Sequence, residues 1–241
     1  MFSLFKKELS LFYSTLTGYV AISVFLLTTS LFLWVFPGAF NIIDSGAATL
    51  APFFELAPWI FLFLVPAITM RMFAEEQKSG TIELLFTRPL TDLQIILAKY
   101  FAAIILVLTA LAPTLFYLVS VYIMGNGTVD LAAATGSYIG LFFLAAVYAS
   151  IGLFASALTD NQIASFMAGV FVAMLFFTGF DFLAEMAVFK EFSEKILWFG
   201  ISEHYNSLSR GVIDSRDVLY FLSLITVFLS ATAGILTYRK S

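Results

Sequence analysis

Residues 131–159 read LAAATGSYIGLFFLAAVYASIGLFASALT, an uncharged run bounded by Asp130 and Asp160. A bilayer core of ~30 Å, crossed at 1.5 Å per helical residue, needs about 20 apolar residues. A charge near its centre costs roughly 2.5–3.5 kcal/mol, so the run reads as a membrane-spanning helix. Working outward, five further charge-free windows appear: Leu9 to Ile43, Leu56 to Met70, Tyr100 to Val129, Asn161 to Phe180 and Val218 to Tyr238. The whole chain matches this pattern, with 61% hydrophobic and only 12% charged residues and a mean hydropathy of +0.98. The 29 Phe, 10 Tyr and 3 Trp are more apolar bulk than a soluble surface of this size hides, whereas lipid accommodates it. A water-soluble globular protein is excluded. The fold class is all-α, a polytopic membrane domain of six helices over residues 1–241, with no room for a large soluble domain.

Turn and cap signals trim the helices to about 18–40, 56–74, 93–124, 135–158, 162–183 and 217–238. Thr91 with Gln94, and Thr159 with Gln162, fit the capping box that satisfies orphan amides at a helix start; Asp214 and Asp217 suit the start of the last helix. Pro58 and Pro66 predict a kink in the second, and Glu55 and Arg71 bracket it near the interfaces. Only Thr159 to Asn161 separates spans four and five, which predicts a tight antiparallel pair. Gly136, Gly140, Ala145, Ala149 and Gly152 line the fourth span with small residues that permit close packing.

The net charge of −4 says little, because the placement of charge matters more than its sum, and nucleic acid is not an expected partner. Lys6, Lys7, Arg71, Lys78, Arg88, Lys99, Arg239 and Lys240 fall on one side of six spans; Lys190, Lys195, Arg210 and Arg216 fall on the other. Eight against four predicts cytoplasmic termini. The uncharged run from Leu9 is too long for a signal-peptide core of about 7–15 residues and reads as an uncleaved first span. Before it, Phe2, Phe5, Leu9 and Phe12 form one stripe, with Ser3, Lys7, Ser10 and Ser14 opposite, which predicts an amphipathic helix lying on the inner leaflet.

Between spans two and three runs the only substantial loop on that side, Arg71 to Thr91, RMFAEEQKSGTIELLFTRPLT. Glu75, Glu76 and Lys78 read as solvated, Ser79 and Gly80 break the helix, Thr81 starts a short one and Pro89 ends it. Ile82, Leu84, Leu85 and Phe86 form an apolar knob too small to span. On pattern alone it serves equally as a plug for a partner's groove or as a turn resting on headgroups.

Glu76, Gly80, Thr81, Glu83, Leu84, Leu85 and Pro89, followed by Lys99, resemble the E-x-x-x-G-T-x-E-L-L…P…K signature of ABC-2 type ABC transporter permeases. Arg88 departs from the small or hydrophobic residue common before the proline. The resemblance covers the whole chain and is greatest to the gliding-motility-associated permease subunits of Bacteroidetes. It implies that this segment is a coupling helix, with Glu76, Gly80, Thr81, Glu83, Leu84, Leu85, Phe86, Arg88 and Pro89 at the contact with an ABC ATPase subunit. It also implies a second permease subunit, a bacterial inner-membrane location, and ATP and Mg held by the ATPase. Export or mechanical work, in gliding motility or secretion, is the implied output.

This chain has no G-x-x-x-x-G-K-[ST] phosphate loop, so no nucleotide site or cofactor of its own is expected. It has no cysteine, which excludes disulfides, thiolate metal sites and cysteine nucleophiles. His204 beside Glu203 is the one metal candidate; a single histidine with scattered carboxylates makes a poor site and reads as an ordinary interfacial residue. Asp181, Glu185, Glu191 and Glu194 read as the polar face of an external helix over 185–199, with Met186, Phe189, Phe192 and Leu197 packing inward or onto lipid. Asn126-Gly127-Thr128 matches a glycosylation sequon but is sufficiently explained as a turn. An ion-coupled secondary transporter would need ionisable groups at mid-membrane, and the charge-free windows hold none. A non-transporting anchor or assembly factor would use the same loop and stays open.

Overall fold

The computed structural model describes residues 1–87, 89–127 and 129–240, and only the backbone of Thr17, Phe86, Ala187 and Phe189. The described residues are helical, without strands. In chain order the helices are α1 (Phe2–Ser14), α2 (Leu16–Trp34), α3 (Ala51–Thr69), α4 (Ala74–Lys78), α5 (Ile82–Phe86), α6 (Asp92–Leu111), α7 (Leu115–Met124), α8 (Leu131–Leu158), α9 (Gln162–Met174), α10 (Phe180–Glu185), α11 (Ser193–Leu197), α12 (Ile201–Leu208) and α13 (Ser215–Lys240). A 3₁₀ turn joins α6 to α7, and a π-helical turn, Leu175–Gly179, joins α9 to α10.

Among the described residues, five helical stretches are long and apolar enough to cross a bilayer: Ala51–Lys78, Asp92–Met124, Leu131–Leu158, Gln162–Glu185 and Ser215–Lys240. A sixth is added if α1 and α2, bent by 67° from each other, count as one broken span. The bend has a local cause. Thr15 is extended, its hydroxyl bonds back to the Phe12 carbonyl, and a Cβ on Gly18 would sit 2.6 Å from that same carbonyl oxygen. Taken alone, α2 has 19 residues, about 28 Å of helix at 1.5 Å per residue, close to the thickness of a hydrocarbon core.

The first long helix ends at Trp34, earlier than the expected residue 40. Pro37 follows, Gly38 takes φ +148°, and buried Asn41 ties the loop by donating to the Phe36 carbonyl and accepting from the Ile43 and Asp44 amides. The expected box at Thr91 and Gln94 is present. At α9 the cap is Asn161, not Thr159, because its side chain accepts from the Ile163 and Ala164 amides. At α13, Asp214 accepts from the Arg216 amide, whereas Asp217 is buried and committed elsewhere. The expected helix over 185–199 is broken: Met186 is extended, a 3₁₀ turn spans Ala187–Phe192, and α11 buries none of its residues. Phe189's side chain lies outside the described residues. Asn126 (φ +50°) and Gly127 (φ +82°) make a left-handed turn; Thr128 lies outside the described residues.

Helix α8 is the axis of the bundle, contacting α3, α6, α9, α12 and α13. It is 78% buried over its apolar window against 22% for α9 and α13, whose remaining faces are left for lipid. Its small residues admit neighbours at backbone distance. A Cβ on Gly152 would lie 2.0 Å from Thr69 Oγ1, one on Gly140 2.7 Å from Leu208 Cβ, and one on Gly136 2.7 Å from the Gly211 backbone.

Pro58 and Pro66 lie inside α3. A proline supplies no N–H to the carbonyl four residues earlier, and in lipid such a group must be satisfied from elsewhere. For Pro58 that carbonyl is Phe54, and the hydroxyl of Tyr205 on α12 donates to it at 2.7 Å. Burial, reinforced by the charge of Glu55, holds the Tyr205 phenol well above its usual range, so it remains a donor.

The end of α13, the 70–91 segment, the end of α8 and the starts of α6 and α9 meet at one end of the bundle, called here the terminal end. Arg239 donates to the Leu158 carbonyl and Lys240 pairs with Asp92. Helix α1 packs beside α6.

Candidate functional site

The segment that follows α3 is built against α8 by an exchange of caps. The first amides of a short helix have no partner within it. For α4 the hydroxyl of Ser156, one turn from the end of α8, accepts from the Phe73 and Ala74 amides at 2.9 and 3.1 Å and donates to the Met70 carbonyl at 2.9 Å. In return, the Gln77 amide on α4 donates to the Ser156 and Ala157 carbonyls near the end of α8. Each helix end closes the other.

Beyond α4 the chain reverses at Ser79 and Gly80. Ser79 Oγ bonds the Glu75 carbonyl and the Thr81 hydroxyl. Gly80 sits at φ +70° with open space around it, a conformation that a side chain disfavours. Helix α5 follows in a single turn. Leu84 is 65% exposed, while Leu85 is 5% exposed and packs into the core of its own chain. The two leucines therefore do not share a face, and Leu84 with Glu83 carries the outward surface. Ile82 packs partly against the core, and Thr81 and Pro89 are exposed. The side chain of Phe86 and all of Arg88 lie outside the described residues.

Beneath this turn lies a buried charge network. Lys99, on α6, has no exposed surface; its Nζ lies 2.8 Å from Glu8 Oε1, 3.0 Å from Glu76 Oε2 and 2.6 Å from the Met72 carbonyl, above the Phe73 ring. The Glu76 contact is at ion-pair distance but off the hydrogen-bonding direction, so its attraction is Coulombic. Glu76 Oε1 accepts instead from Lys7 at 3.0 Å. Two lysines and two glutamates balance, which is the condition for keeping an ammonium out of water. The network joins α1, α4 and α6.

One expectation is corrected here: Glu76 is buried rather than solvated. On α1, Glu8 is buried between Leu4 and Phe12, Phe5 and Leu9 pack partly beside them, and Phe2 is 67% exposed. In the sequence, Lys99 reads only as a residue at the start of a span, and Glu8 as one without a role. The signal was present: Glu8 lies four residues from both Leu4 and Phe12, and Lys99 lies among Ile95, Ile96, Ala102 and Ala103 on one helical face. A hollow of about 220 Å³ opens beside the network, lined in part by Thr15, Arg71, Glu75 and Thr81, and Arg71 donates to Thr15 at the bend between α1 and α2.

His204 lies at the opposite end, enclosed by its own chain. It is 3% exposed, with Nδ1 2.7 Å from Asp217 Oδ1, Nε2 2.9 Å from the Trp198 carbonyl, and its ring stacked 3.9 Å from Tyr220. An oxygen faces each ring nitrogen, so neither is available to a metal. Glu203 points away and is exposed. The described residues contain no cluster of three or more metal-ligating side chains.

These helices and the polar seams that satisfy their broken backbones define a multi-pass helical membrane protein. The chain belongs to the ABC-2 family of transporter proteins, whose pattern matches residues 40–239. No curated protein matches the chain. Glu76 and Lys99 fall inside the matched stretch, and α1 with Glu8 lies before it.

Proposed function

We propose that this chain is the permease subunit of an ABC transporter in a bacterial inner membrane, with both termini and the 70–91 segment in the cytoplasm. A separate ABC ATPase, which would hold ATP and Mg, docks on α5, and a second permease subunit, identical or different, completes the pathway. Leu84 is the apolar anchor and Glu83 its charged neighbour, with Gly80 providing the tight reversal. Burying one leucine contributes about 1.5–3 kcal/mol. The observation that carries this reading is the linkage below α5: the outward Leu84 belongs to a segment tied by Ser156 and Gln77 to α8 and by Glu76 to Lys99 and thereby to α1. A push on α5 is delivered to these helices together. The output is export of an amphiphilic cargo or mechanical work; a role in gliding motility rests on the sequence resemblance alone.

Leu84→Asp places an unpaired carboxylate in the contact and should release the ATPase on co-purification while the chain still inserts and melts normally. Full retention of the ATPase with full transport would refute the docking assignment; retention with no transport in the unsubstituted chain would favour an anchor. Orientation is tested separately. The chain has no cysteine, and Glu194 and Lys78 are exposed at opposite ends. In intact cells an impermeant thiol reagent should label Glu194→Cys and spare Lys78→Cys.

A further inference from the structure

On the end opposite the termini, one face of α13 floors a lipid-side groove of about 500 Å³. Arg216, Leu219, Tyr220, Ser223 and Leu224 lie in it at helical spacing, and Phe176, Phe180, Trp198 and Phe199 wall it. Phe176 comes from the π-helical turn, which offsets the helix where the groove needs a wall. The hydroxyls present are already used: Tyr220 donates to the Phe199 carbonyl at 2.6 Å and Ser223 to the Tyr220 carbonyl at 2.7 Å. The Arg216 guanidinium, exposed at the mouth, has no hydrogen-bond or ion-pair partner among the described residues; Asp214 takes only its backbone amide.

The dimensions follow from helix geometry. Between Arg216 and Arg239, the basic residues near the two ends of α13, the rise is about 35 Å at 1.5 Å per residue, so with a core of ~30 Å Arg216 stands at headgroup depth. Trp198 and Tyr220 beside it are the side chains that favour that layer. From Arg216 to Leu224 the floor descends about 12 Å, most of one leaflet's half of roughly 15 Å. The groove thus has a cationic rim at headgroup level and an aromatic trough below it.

We propose that this groove holds one acidic membrane lipid, its anionic headgroup on Arg216 and one acyl chain along the Leu219–Leu224 stripe. The charge complementarity selects the lipid class, since a zwitterionic lipid offers the guanidinium no net charge. The assignment does not depend on the ATPase reading.

The test uses the full chain reconstituted with phosphatidylglycerol and phosphatidylcholine in equal amounts, then released into detergent for native mass spectrometry of retained lipid. The unsubstituted chain should retain phosphatidylglycerol in preference. Arg216→Gln should cut that preference roughly five-fold, the worth of one basic residue at a membrane surface, while Arg216→Lys keeps most of it. Ser223→Trp, which fills the trough, should reduce retention of both lipids, with thermal melts confirming that each variant is folded. An unchanged preference in Arg216→Gln would overturn the proposal. So would efficient disulfide formation between two copies of Ser223→Cys, which would mean that a second chain covers the groove.

Discussion

The ammonium of Lys99 lies 2.8 Å from the carboxylate of Glu8, two charges 91 residues apart in sequence that meet with the lysine wholly withdrawn from solvent. Losing one partner of a buried pair costs more than the pair contributes, because the other charge stays behind. Lys99→Met should therefore destabilise the chain by about 3–5 kcal/mol, measured by denaturant unfolding in detergent. Lys99→Met combined with Glu8→Gln and Glu76→Gln should recover much of the loss, because no buried carboxylate is then left unpaired. Additive losses would show that the charges do not act as one network.

Two glycines on long helices should respond oppositely to the same change. At Gly152 a methyl would enter the space of Thr69 Oγ1, whereas at Gly234 nothing lies within 4 Å. Gly152→Ala should cost about 1–3 kcal/mol through overpacking, and Gly234→Ala should be neutral or slightly stabilising. Thermal melts of the two variants side by side decide it.

Tyr205→Phe removes the donor that replaces the amide missing at Pro58, leaving the Phe54 carbonyl unsatisfied in an apolar setting. A loss of about 1–3 kcal/mol is expected, and Pro58→Ala, which restores a backbone donor, should make the second substitution less harmful in a double-mutant cycle. The pH dependence has a definite sign. With the folded phenol held well above its usual range, its contribution is complete below a pH of about 10, the unfolded value, and declines only as the pH rises beyond it.

His204→Ala should leave the buried Asp217 carboxylate without its partner and lower the melting temperature, whereas His204→Ala with Asp217→Ala should regain part of it. A chelator should leave the melt of the unsubstituted chain unchanged. A chelator-induced drop would restore a metal to the reading of His204.

The long helices were legible because an uncharged run of some 20 residues has one low-energy fate in lipid. The 70–91 turn was legible from Ser79, Gly80 and Pro89, which act locally. What escaped was contact between distant residues. Nothing adjacent to Glu8 announces Lys99, its partner 91 residues away. Leu84 and Leu85 are alike in composition, and only the packing of α5 turns one outward and the other in. Asp217 carried a capping signal and His204 none, yet they are paired because α12 folds back into the bundle.

The bond pattern at Ser156 also sets a timetable for biosynthesis. The hydroxyl that receives the Phe73 and Ala74 amides lies 82–83 positions further along the chain. At about 5–20 residues per second, a ribosome takes roughly 4–17 s to deliver it. Until then those amides lack the acceptor they have in the folded chain, and the turn bearing Leu84 lacks its tie to α8. Any protein that reads that turn by shape meets its finished form only after the helix through Ser156 has been made, so a half-synthesised chain is screened from premature assembly.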